Sequence, residues 1–132
     1  MDNCYLVSRG EIRNGTKLIY IRDLSSREDF LFLVDVYAKV TNCRAEHYSR
    51  AMEKYEEWAM SVAKIRTIYN LCAPPTDEQL VEFDNSLIKK EPGYGSYRHP
   101  DAYMWIEYVK KFWKWVRFET FRDDHSNINL KQ

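Results

Sequence analysis

Two side chains of reactive type stand four residues apart in the chain, Cys43 and His47. On a helix that spacing brings a thiol and an imidazole to one face, as half a metal site or a nucleophile with its general base requires. The other half is not nearby. No second Cys/His pair occurs at ligand spacing, and His99 and His125 fall in a loop and in a polar tail. Glu56-Glu57 and Asp123-Asp124 have no neighbour that would raise a carboxyl pKa, and read as solvated surface. The sequence therefore assigns no catalytic residue, metal ligand or cofactor, and the expectation leans away from an enzyme.

A second candidate is the stretch Gly93-Tyr94-Gly95-Ser96-Tyr97-Arg98-His99. Gly93 and Gly95 allow close backbone approach, Ser96 and the local amides could hold an anion, Arg98 could pair with it, and a helix would start just behind. His99 completes the set. The stretch fits no nucleotide-binding fingerprint, and a plain turn between helices explains the same glycines.

The third candidate lies in YMWIEYVKKFWKWVRFETF, Tyr103 to Phe121, where eight of nineteen residues are aromatic and four are basic. On a helical wheel Trp105, Ile106, Tyr108, Val109, Phe112, Trp113, Trp115 and Val116 cover a broad arc. Lys110, Lys111, Lys114 and Arg117 gather on the remaining side. A single-strand nucleic-acid binder needs its aromatics within reach of its basic groove. Here the two face opposite ways, so the segment reads as a core helix whose basic face, with Arg98, is available to a phosphate backbone or to an acidic protein. Acidic residues of the preceding helix, Asp77, Glu78, Glu82 and Asp84, are expected to pair with part of that face.

The elements that position these residues follow from local pattern. Strand-forming runs on either side of Asn14-Gly15 predict a β-hairpin over about residues 4–23, with Gly10 as a bulge in its first strand. Ser25 with Glu28, or Ser26 with Asp29, can cap a helix over about 26–40. Its body FLFLVDVYAKV is apolar on nearly every side, so it is either buried all round or an interface, and a strand is the alternative. After a break at Thr41-Asn42, a stripe through Ala51, Tyr55, Trp58, Val62, Ile65, Tyr69 and Cys72, flanked by Tyr48, Met52, Ala59 and Arg66, predicts a long helix over about 44–72. Ala73-Pro74-Pro75 stops it. Thr76 and Gln79 form a capping box for a helix over about 77–90, closed by Lys89 and Lys90. Pro100 then opens a helix over about 100–121, followed by a polar tail, 122–132, expected to fray. The fold class is mainly α: a four-helix bundle-like arrangement with a short N-terminal β-hairpin, in one domain spanning 1–132.

Composition narrows the function classes. Twenty basic and twenty acidic residues cancel, so no global field draws in nucleic acid or an anionic membrane. No apolar run reaches membrane-spanning length, and the N-terminus lacks the basic-then-apolar order of a secretory signal. Three cysteines, Cys4, Cys43 and Cys72, are widely spaced and form no CxxC, which points to reduced thiols and a cytoplasmic location.

The expected function is a small non-enzymatic interaction domain that binds another protein or its own copy, most simply as a homo-oligomer. Its partner surface is the apolar helix, through Phe32 and Val36, together with the hairpin edge at Tyr20. Nucleic-acid binding on the basic helix face is the alternative, and a phosphate or nucleotide ligand at 93–99 a further one. Compact aromatic-rich chains of this kind also suit viral or phage accessory or inhibitor proteins, an association of composition alone.

Overall fold

A computed structural model describes the chain except residues 1–4, 44, 66–67, 71–72, 92, 94, 99 and 131–132, and describes the backbone alone at 45, 89–91, 96–98 and 121–130. Cys4, Cys72 and His99 lie outside the described residues. Helices dominate, as the hydrophobic periodicity predicts: α1 Arg27–Thr41, α2 Ala45–Ser61, α3 Asp77–Ser86 and α4 Ala102–Leu130.

The N-terminal region forms three strands rather than the expected two: β1 Leu6–Ser8, β2 Glu11–Asn14 and β3 Lys17–Tyr20, an antiparallel meander in the order β1-β2-β3. What reads as one bulged strand is a hairpin of its own. Arg9 and Gly10 take φ of 54° and 77°, the double left-handed turn whose twist matches the flanking strands. The second turn sits one residue later than expected, on Gly15 and Thr16; Asn14 still pairs with Lys17, and Gly15 carries the positive φ, 65°. Val7, Ile12 and Ile19 stand in register and face the core, with Ile12 fully buried.

Gly10 is also where the sheet meets α4. A Cβ there would lie 3.3 Å from the Glu119 carbonyl oxygen and 3.6 Å from Thr120 Cα. The Gly10 carbonyl in turn accepts from Ile21 N–H at 2.8 Å, at the start of a 3₁₀ turn, Ile21–Asp23, that hands the chain to α1.

Ser26 caps α1: its hydroxyl accepts from Asp29 N–H at 3.1 Å, and the Asp29 carboxylate accepts from the amides of Ser25 and Ser26. Of the two pairings open to the sequence, the structure takes Ser26 with Asp29. Asn42, left-handed at φ 51°, closes the helix and makes the expected break. The segment is a helix and not the alternative strand.

α2 stops at Ser61, eleven residues before the expected end at Cys72. The amides of Val62 and Ala63 both turn back to the Trp58 carbonyl, Ile65 N–H reaches the Ala59 carbonyl, and Lys64 is left-handed at φ 50°. A left-handed residue reverses the chain there without the glycine that would have marked it. The stripe continues in sequence, but Ile68 and Tyr69 join the core from a returning segment.

Thr76 and Gln79 form the expected capping box of α3. Lys89 and Lys90 do not close that helix. Residues Ile88–Glu91 form β4, which pairs with β5, Gly95–Arg98, in a two-stranded antiparallel hairpin. α4 runs through the expected tail to Leu130, since neither Gly nor Pro interrupts the sequence after Pro100.

The core is aromatic. Phe112 of α4 is fully buried and makes ring contacts with Phe30 (6.0 Å), Tyr37 (5.8 Å), Tyr48 (6.5 Å) and Trp113 (5.1 Å). Tyr55 packs edge-on to Phe83 and Trp113, linking α2, α3 and α4. Edge-to-face arrangements at such separations are the favoured ones, because the ring edge is positive and its face negative. The Tyr48 hydroxyl is satisfied inside this core, donating to the Val34 carbonyl at 2.9 Å.

Candidate functional site

The wheel for α4 resolves as the sequence predicts. Trp105, Ile106, Val109, Phe112, Trp113 and Val116 are buried, Tyr108 and Trp115 are half-buried, and Lys110, Lys111, Lys114 and Arg117 are exposed. The expected pairing of these cations with α3 is not made. Among the described residues, Lys110, Lys111 and Lys114 form no ion pair, while Arg117 donates to the Pro75 carbonyl at 3.2 Å. That bond holds one guanidinium nitrogen at the start of α3.

Between α3 and α4 lies a cleft of about 450 Å³. Lys110, Trp113, Lys114 and Arg117 line one wall, at i, i+3, i+4 and i+7 of α4, and Asp77, Leu80 and Val81 line the other. Its apolar surface is real: Val81 is 56% exposed. Trp113 is buried, and its indole N–H has no hydrogen-bond partner among the described residues. Lys111, on the same helix, does not reach the cleft.

The sheet presents a second surface. With Val7, Ile12 and Ile19 turned inward, the alternate row Leu6, Arg13 and Leu18 faces out, in register across the three strands. Leu6 is 73% exposed and Leu18 39%. Tyr20, expected at the hairpin edge, is half-buried on that same outer side beside Glu11, and Arg22 lies 5.2 Å from its ring centroid. β1 and β3 are the edge strands of this sheet.

The apolar helix α1 is largely core. Val36 is fully buried, and so unavailable to a partner, together with Phe30 and Leu33. Phe32 is half-buried and meets Tyr5 edge-on at 5.8 Å. Leu31 and Val40 are the large apolar side chains that α1 still exposes. Its core side meets α4 through ring contacts of Phe30 and Tyr37 with Phe112, and Tyr5, just ahead of β1, covers Phe32.

Cys43 and His47 do not share a helix: α2 begins at Ala45, so Cys43 sits in the connection before it, and both are half-buried. Among the described residues no group of three or more His, Cys, Asp and Glu could hold a metal ion. In the 93–99 stretch, Gly93 and Gly95 have φ of 86° and 82° with open space around them. Ser96 and Arg98 belong to β5, whose backbone pairs with Lys90 and Ile88, and their side chains are outside the described residues. The stretch is a hairpin arm instead of a helix-to-helix connector.

One polar cluster escaped the sequence reading. Glu56, assigned there to the surface, is 9% exposed. It accepts from Arg27 Nε at 2.8 Å and from the Tyr69 hydroxyl at 2.6 Å, tying the start of α1 to α2 and the returning segment. The Tyr69 hydroxyl is pushed up to about 12, first by burial and then by its bond to Glu56, and the Arg27 guanidinium is raised further by Glu56. The signal was present in the spacing: Glu56 follows Met52 by four and precedes Ala59 by three, on the margin of the buried stripe.

Among the described residues, no helix is long and apolar enough to cross a membrane. The chain matches no protein-family model, no curated protein sequence and no solved structure.

Proposed function

We propose that this chain is a small non-enzymatic interaction domain that binds a second copy of itself or a partner protein through the outer face and edges of its N-terminal sheet. The observation that carries the reading is the row Leu6, Arg13 and Leu18, two exposed leucines flanking one cation on a sheet whose other face is sealed by the core. Strand edges of this kind offer unpaired amides and carbonyls to an added strand, and the alternating side chains supply selectivity. Tyr20 lies beside the row on the same outer face, Phe32 is half-buried against Tyr5 just ahead of β1, and Val36 serves the core.

The test is solution mass by light scattering coupled to size exclusion, at low and high salt, with ultraviolet absorbance recorded for nucleic acid. The expected result is an oligomer indifferent to salt that dissociates in the double variant Leu6→Glu, Leu18→Glu. A monomer that carries nucleic acid and sheds it at high salt moves the function to the basic face of α4.

A further inference from the structure

From the cleft between α3 and α4 we infer a docking site for an acidic peptide segment that carries an apolar side chain between its carboxylates. The inference rests on the interaction-domain reading above but uses a different surface, so the two stand or fall separately. Three cations, Lys110, Lys114 and Arg117, line the cleft against one carboxylate, Asp77. The chain as a whole is neutral, so this excess of positive charge is local. Arg117 is already positioned by its bond to the Pro75 carbonyl, while Lys110 and Lys114 are exposed and without an ion pair among the described residues. The apolar part of the lining is Leu80 and Val81 on one wall and Trp113 on the other, with Val81 exposed.

This combination selects a class of ligand. A nucleic-acid backbone would use the cations, yet it has no aliphatic group for the Leu80 and Val81 wall. Its bases would find no exposed ring, since Trp113 is 2% exposed. A peptide satisfies all the chemistry at once: carboxylates meet Lys110, Lys114 and Arg117, and an apolar side chain covers Val81. The cations recur at i, i+4 and i+7 along α4, so a segment lying along the helix meets them in sequence.

The test is selection from a random peptide display library against the full chain, followed by titration of a selected peptide against variants. Enriched peptides are expected to place acidic residues beside a leucine or aromatic residue. Their affinity should fall about tenfold in Lys110→Glu with Lys114→Glu, fall about fivefold in Val81→Ser, and be unchanged in Lys111→Glu. The Lys111 variant is the decisive control, because it reverses a charge on the same helix without touching the cleft, and Lys110→Glu alone, which changes the charge of α4 by the same amount, is expected to weaken binding. Loss of binding in Lys111→Glu to the same degree reduces the effect to general electrostatics and overturns the proposal. So does a selection that enriches nothing, or peptides without acidic residues. Single-stranded or duplex DNA that binds more tightly than the selected peptide, and loses binding in the same cleft variants, assigns the cleft to nucleic acid instead. Selected peptides whose binding is lost only in Leu6→Glu, Leu18→Glu overturn the cleft while leaving the sheet as the working surface.

Discussion

Gly10 and Gly15 form a matched pair for testing how the sheet is joined to α4. Both have positive φ, 77° and 65°, and both sit in two-residue turns of the same sheet. Replacing either by alanine places a Cβ in the left-handed region, at a cost of about 1–2 kcal/mol. At Gly15 nothing lies within 4 Å, so that is the whole cost. At Gly10 the new methyl meets the Glu119 carbonyl oxygen at 3.3 Å and Thr120 Cα at 3.6 Å, both backbone atoms of a helix that cannot rotate aside. Overpacking of this kind adds about 1–3 kcal/mol. Against a domain stability of roughly 5–15 kcal/mol, Gly10→Ala is severe and Gly15→Ala is mild. Urea unfolding followed by tryptophan fluorescence measures both, and the midpoint should fall further in Gly10→Ala with an unchanged slope. Equal midpoints in the two variants would refute the reasoning, since they would mean that the sheet does not press on α4 at Gly10.

Two pH-dependent effects follow from the caps and the buried polar cluster. The Asp29 carboxyl is held below its usual range, mainly by the Ser25 amide, so its folded form gives up the proton more readily than the unfolded chain; the stability it adds is present above the unfolded pKa and lost as pH falls through the folded one. Asp29→Ala should cost about 1 kcal/mol at neutral pH and nothing in acid, as read by thermal melts across the acidic range. At the other end, Tyr69 keeps its proton to about 12, so its contribution is full below the unfolded value of about 10 and is lost as pH rises between the two. Tyr69→Phe should cost about 1–2 kcal/mol near neutrality through the lost bond to Glu56, and should flatten the fall in stability above pH of about 10. A variant as steeply alkali-sensitive as the wild type would refute that role, although burial of Tyr48 and Tyr55, also pushed up, maintains a residual slope.

The amino-acid sequence alone determined what depends on neighbours a few residues away. The capping boxes at Ser26–Asp29 and Thr76–Gln79, the break at Asn42 and the division of α4 into a buried aromatic arc and an exposed basic face are all local chemistry and periodicity. Tertiary structure decided everything that required knowing what lies opposite. Val36 is fully buried in the packed core, where an apolar helix by itself could equally have been an interface, and Glu56 is buried because Arg27 and Tyr69, distant in sequence, arrive to satisfy it. α2 ends at Ser61 because Lys64 accepts a left-handed backbone without a glycine to announce it, and residues 88–91 leave the helix because a strand partner exists at 95–98. The cleft is the clearest case. Its cations were visible as a stripe, but Asp77, Leu80 and Val81 became its other wall only when α3 packed beside α4, a juxtaposition that no periodicity encodes.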